Sequence, residues 1–177
     1  MINSPFSHQV QYPSQMEAGR KYPVIFALHG IGYHEQGMLD LLADVKEQFI
    51  LIGIRGHLTY ENGYAYYYLK GFGNPIRELF DSAVNHLQDF INQAVNEYPV
   101  DPSRVYLLGF SQGAILSMTL ALTMGNRIKG IVAMNGYIPG FVKEEYALQP
   151  MNRVSVFLTQ GEFDHIFPPH VGQENYE

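Results

Sequence analysis

The stretch Leu107-Leu108-Gly109-Phe110-Ser111-Gln112-Gly113-Ala114 limits what this chain can fold into more than any other. A serine stands with a glycine on either side, each separated from it by one residue. Before it runs Arg104-Val105-Tyr106-Leu107-Leu108, suited to a buried strand. After it comes a long apolar run from Ala114 to Met124, suited to a helix. A serine in that setting sits on a sharp strand-to-helix turn that raises its hydroxyl above the end of a sheet. Such a turn is strained, and strand and helix can approach closely across it only where the neighbours lack side chains. The bland alternative is a tight strand–helix turn whose serine is incidental.

The rest of the chain repeats the strand-then-helix theme. His8 to Tyr12 alternates polar and apolar residues, as an edge strand does. Tyr22 to Leu28 is continuously apolar, as a strand buried on both faces must be. Met38 to Gln48 has helical apolar spacing, and Phe49 to Ile54 is a further short strand. Arg55 to Gly73 is a loop rich in glycine and tyrosine. Asn74-Pro75 then offers a cap and a first-turn proline for a helix whose apolar positions run from Ile76 to Val95. Gln112 to Met124 is a helix apolar on most faces, with Gly125 as its stop. Ile128 to Met134 and Val154 to Thr159 are strands. Strands separated by helices require crossover connections and a mostly parallel sheet, so the expected class is α/β. With no repeat and no linker, residues 1–177 read as one domain.

Composition removes several functions. A net charge of −6 opposes general nucleic-acid binding, which needs a basic face. The absence of cysteine removes disulfides, thiolate nucleophiles and thiolate-held metals. No basic segment followed by an apolar core opens the chain, and no apolar run reaches the roughly 20 residues of a membrane span. A cytoplasmic location is the expectation.

A serine hydroxyl needs a base, a group to orient that base, and donors for the oxyanion that forms. In α/β hydrolases these follow the order serine, acid, histidine. The donors are expected from the N–H of Gln112, next to the serine, and of Ile31 in His29-Gly30-Ile31-Gly32, which ends an earlier buried strand. His29 precedes the serine, and chain order favours a bracing role for it. Asp164, in Gln160-Gly161-Glu162-Phe163-Asp164 at the end of a late strand, is the expected acid. Only His165 and His170 follow it. His165 is too close in sequence to face Asp164 and Ser111 together, so His170 is the candidate base on this chain. Yet the usual layout places a further βα unit, on the order of 30 residues, before that histidine. The tyrosine-rich loop, with Tyr64, Tyr66 and Phe72, either walls a substrate pocket or packs beneath the loop. The histidines are scattered and form no metal motif, so no metal is expected.

With these residues in hand, the chain resembles the carboxylesterase/phospholipase family of small α/β hydrolases, which includes the acyl-protein thioesterases. Gly109-Phe110-Ser111-Gln112-Gly113 is similar to its nucleophile turn, Leu28-His29-Gly30-Ile31-Gly32 to its oxyanion segment, and Asp101-Pro102-Ser103-Arg104-Val105 to the lead-in to the nucleophile strand. Gln160 to Asp164, with Pro168 beyond, is similar to its acid segment. The resemblance implies a three-layer sandwich around a mostly parallel sheet, shortened at the C-terminus. It also implies hydrolysis of small-molecule carboxylic esters or thioesters through Ser111, with no cofactor. The family's late Gly-His motif has no counterpart here, which implies that the true histidine lies beyond Glu177. Three readings stand: an esterase impaired by a missing last segment, an esterase using His170 or a partner subunit's histidine, and a non-catalytic module that holds an acyl or carboxylate group. A sheet edge left open at Val154–Thr159 would favour a homodimer.

Overall fold

The structure is a computed structural model that describes residues 1–71 and 73–175. Its strands are β1 (Ser7–Gln11), β2 (Tyr22–Leu28), β3 (Ile50–Arg55), β4 (Leu58–Tyr60), β5 (Gly63–Ala65), β6 (Leu69–Gly71), β7 (Asn74–Pro75), β8 (Val100–Phe110), β9 (Gly130–Met134) and β10 (Ser155–Thr159). Its α-helices are α1 (Glu35–Leu41), α2 (Arg77–Glu97), α3 (Gln112–Met124), α4 (Gly140–Glu145) and α5 (Pro169–Glu174). Six strands form the central sheet in the order β1-β3-β2-β8-β9-β10. Only β1 is antiparallel to its neighbour; β3, β2, β8, β9 and β10 run parallel.

The helices divide between the two faces because alternate residues of a strand point opposite ways. Phe26, Leu28 and Leu107 pack into the main core with Phe80, Leu87 and Phe90 of α2 and Leu116 and Leu120 of α3. Ala27 and Leu108, their neighbours in sequence, turn the other way and meet Met38 of α1. These are the three layers expected from the sequence. The α1 face is the thinner, and at its far side β10 leaves Phe157 62% exposed.

Topology places the site. The chain leaves β2 toward β3 on one side and leaves β8 toward β9 on the other. The loops after these two adjacent strands therefore diverge, opening a crevice at their carboxyl ends. The first loop is His29 to His34, and the second begins at Ser111.

Several boundaries differ from expectation. Asn74 and Pro75 do not open a helix; they pair with β6, and Ile76 N–H is still held by Tyr68 O at 2.8 Å, so α2 starts at Arg77 with no side-chain cap. The helix expected over Met38–Gln48 begins earlier, at Glu35, and gives way to a 3₁₀ turn at Ala43–Val45. The tyrosine-rich loop contains one small hairpin, β4–β5, and the first strand of a second, β6–β7. One buried charge locks the first layer. Glu35 is 1% exposed and takes both arms of Arg55 (2.6 and 2.7 Å) and the amide of Gln9 (2.8 Å), tying α1, β3 and β1 together.

Candidate active site

Ser111 has φ +52° and ψ −114°, a conformation that L-residues other than glycine rarely hold. The surrounding packing enforces it. A Cβ on Gly113 would lie 2.1 Å from Leu28 O, and one on Gly109 would lie 2.2 Å from Gly113 O. Glycine at both places lets α3 start against the end of β2 and turn back over β8. Ser111 N–H is held by Met134 O at the end of β9 (2.9 Å), and Ser111 O receives Ile115 N–H (3.0 Å). The first turn of α3 thus begins immediately after the serine.

The loop after β2 lies against this turn. A Cβ on Gly30 would be 3.3 Å from Ser111 Cβ. Gly32 N–H donates to Tyr64 O (2.8 Å) and Tyr64 N–H to Tyr33 O (2.9 Å), so the β4–β5 hairpin clamps the loop from outside. Tyr33 N–H returns to Gly30 O (3.1 Å). Among the described residues, the N–H groups of Ile31 and Gln112 have no protein acceptor.

Side chains of this region are committed to bracing. His29 is fully buried. Its Nε2 accepts Gly56 N–H (2.9 Å), so the ring proton must sit on Nδ1, which donates to Gly30 O (2.7 Å). Burial holds its pKa below the ordinary histidine value, and the neutral ring is a strut, as chain order suggested. Gln112 accepts Tyr66 N–H at Oε1 (2.7 Å) and donates from Nε2 to Tyr67 O (2.9 Å), latching the tyrosine loop to the serine turn.

Of the three residues expected to wall a substrate pocket, Tyr66 does not. It is 0% exposed, donates to Ile54 O (2.6 Å) and accepts His29 N–H (3.2 Å), so it is a core brace whose hydroxyl is fully occupied. Tyr64 is half-buried under the Arg55 guanidinium, 4.7 Å from its ring centre, and so joins the Glu35–Arg55 pair to the hairpin clamp. Phe72 lies outside the described residues. Among the described residues, two aromatics that sequence reasoning passed over meet next to the serine turn. Tyr33 is exposed, and its ring stands 6.1 Å from that of Phe110, the residue before Ser111. Tyr33 directly follows the His29–Gly32 segment, and that adjacency was the available signal.

Asp164 sits after β10 on a turn closed by its N–H to Gly161 O (3.2 Å). Its Oδ1 accepts the N–H groups of Ile166 (2.8 Å) and Phe167 (3.0 Å), and its Oδ2 accepts the side-chain amide of Asn135. Partial burial raises the carboxyl pKa, but the Phe167, Asn135 and Ile166 donors and nearby His165 outweigh it and hold it below the usual range. The last residue of β9 links the two corners: Met134 holds Ser111 N–H, and the next residue, Asn135, holds Asp164.

The histidines are not brought in. His170 is exposed on α5 and lines a cavity of about 340 Å³ with Tyr137, Lys143 and Phe167, which includes neither Ser111 nor Asp164. Among the described residues, no hydrogen bond joins any histidine to Ser111 or Asp164. His170 as base is therefore not supported by this arrangement: at the second position of α5 it lines a cavity that includes neither group.

A mostly parallel sheet with helices on both faces, and a serine on a positive-φ turn at its topological switch, define the α/β-hydrolase class. Within it, the chain belongs to the phospholipase/carboxylesterase family, whose sequence profile matches residues 10–177. It is similar to the putative hydrolase MhqD of Bacillus subtilis, 26% identical over 162 residues that cover 90% of this chain and 78% of that protein. Acyl-protein thioesterase 1 of Saccharomyces cerevisiae is 29% identical over 96 residues, 52% of this chain and 41% of the yeast protein, so less than half of that relative is spanned. Among solved structures, a Bacillus cereus carboxylesterase superposes with a TM-score of 0.83 at 23% identity, over 97% of this chain and 77% of that one. A carboxylesterase from Mesorhizobium loti does so at 0.81 with 17% identity, over 98% and 80%. Among the described residues, no helix is long and apolar enough to cross a membrane.

Proposed function

We propose that this chain is a serine hydrolase acting on small carboxylic esters or thioesters through an acyl-enzyme on Ser111. The observation that carries this is the Ser111 turn itself: a non-glycine residue held at φ +52° by close backbone packing, with Gly30 against its Cβ. In this reading Ser111 Oγ adds to the substrate carbonyl while a base takes the hydroxyl proton. The resulting oxyanion lies between the N–H groups of Ile31 and Gln112. Collapse expels the alcohol or thiol, protonated by the base, and water then releases the acid by the same steps in reverse order. Asp164 orients the imidazole. A carboxylate offers about four acceptor sites, and three donors already fill part of them, leaving Oδ2 able to take an imidazole N–H.

The imidazole lies outside the contacts described above. The candidates are His170 after displacement of α5, a histidine of a second subunit, and a histidine carried by a longer form of the protein. That same observation favours a second reading, in which the turn and its amides hold an acyl or carboxylate group without turning it over.

Hydrolysis of a short-chain nitrophenyl ester by the chain and by Ser111→Ala separates the two. Esterase action predicts that the native chain is faster by about a hundredfold or more, since loss of a triad member costs orders of magnitude. Equal rates would leave the binding reading.

A further inference from the structure

Asp164 lies on an exposed turn, and two of its three donors come from that same turn. The third comes from elsewhere. Asn135 follows β9, its backbone N–H is fixed to Thr159 O at the end of β10 (2.9 Å), and its φ is +56°. That left-handed conformation is tolerated by asparagine better than by most residues. It directs the side chain across the gap between the two strand ends. Gly161 completes the arrangement: a Cβ there would be 3.3 Å from Asn135 Nδ2 and 3.4 Å from Asp164 Cβ, closer to the amide than a side chain comfortably sits. An ionised carboxylate only accepts, so the asparagine must present its NH₂ and not its carbonyl.

We propose that Asn135 is a positioning residue for the reaction: it fixes the rotation of the Asp164 carboxylate relative to the serine turn, so that one Oδ2 lone pair is aimed at the incoming imidazole. The inference rests on the reading of Asp164 as the triad acid. Its distinctive content is mechanical. Met134 and Asn135 are adjacent, and through Ser111 N–H and Asp164 Oδ2 they hold the serine and the acid from one point of the backbone. The groups that face the carboxylate are the Asn135 amide, the N–H groups of Ile166 and Phe167, and the neighbouring His165.

The test uses Asn135→Gly, which keeps the positive φ but removes the amide, and Asn135→Asp, which keeps the shape but opposes Asp164 with a like charge. Each is compared with the native protein and with Asp164→Asn. Two readouts are taken: the Asp164 carboxyl titration by carbon NMR, and the pH profile of Ser111-dependent ester hydrolysis. Asn135→Gly is expected to raise the Asp164 midpoint and Asn135→Asp to raise it further. Both should move the acidic limb of the rate profile up in pH and lower kcat by about tenfold or more at unchanged KM, the size of a lost hydrogen bond to a charged group. A native-like Asp164 titration in both variants would overturn the proposal. So would native-like kcat in both while Asp164→Asn loses it. If Asp164→Asn keeps native hydrolysis, the triad reading fails instead, and the positioning role in catalysis falls with it. Where no variant turns over, the titration alone decides whether Asn135 sets the carboxylate.

Discussion

The two corners of the candidate site stand after β8 and β10, on either side of β9 in one sheet, and are held by different physics. Ser111, itself half-buried, is fixed by backbone contact at a closely packed junction. Glycines at 109 and 113 let β2, β8 and α3 meet at distances no side chain would allow, and Gln112, His29 and Tyr66 are spent on keeping that junction closed. Asp164 is fixed by three hydrogen bonds on an open turn, beside exposed Phe163, His165 and Ile166. A corner built from packing has one conformation. A corner built from exposed polar contacts can be redirected by changing one donor. In the proposed mechanism the serine side is therefore preorganised, and the Asp164 side is where the geometry can be tuned.

Gly113 carries the largest expected effect. Gly113→Ala drives a methyl into Leu28 O, so chemical denaturation should show a loss on the order of 3 kcal/mol. A near-neutral result would mean that the junction is loose. Next is Glu35→Ala, which strands the Arg55 charge that backs the Tyr64 clamp. With Arg55 one-third exposed, we expect a loss of about 2 kcal/mol, below the range for a fully buried pair. The same carboxylate has a pH signature. Burial alone would raise its pKa, but Arg55 and Gln9 hold it at about 2, against an ordinary 4.5. Its contribution is complete above pH 4.5 and is lost as pH falls toward 2. Acid titration of stability should flatten over that window in Glu35→Gln.

Tyr66→Phe should cost about 1–2 kcal/mol, because Ile54 O and His29 N–H lose a partner in a dry place. If it changed only substrate binding and not stability, Tyr66 would be a pocket wall after all. The smallest effect belongs to the other side of the sheet. Phe157→Ser on β10 should shift stability by less than about 0.5 kcal/mol, since that ring is largely in water. A large loss there would show that the acid side is as tightly packed as the serine side.

The same division explains what could be read from the sequence. Backbone crowding leaves glycines, and parallel strands leave apolar runs, so Gly109–Gly113, Tyr22–Leu28 and the α3 run disclosed the sheet, its helices and the place of Ser111. Gln112–Met124 matches α3 residue for residue. The polar bracing was not legible. Nothing local distinguishes Tyr66, a buried strut, from Tyr33, an exposed ring against Phe110, because the difference lies in contacts 37 and 46 residues away. Asn135 was silent for the same reason: its partner Asp164 is 29 residues on. The start of α2 was misjudged because Asn74-Pro75 is a good local opening for a helix. Pairing with β6 and the bond from Ile76 to Tyr68 override that preference.

Under the proposed function Ser111 is an activated nucleophile and not simply a serine on a turn. The direct measurement is treatment of the intact protein with a fluorophosphonate, followed by peptide mass spectrometry. A single phosphonyl adduct is expected on Ser111, absent from Ser111→Ala and not formed when the chain is unfolded before treatment. No adduct under conditions that label a known serine esterase, or an adduct that persists in Ser111→Ala, would contradict it.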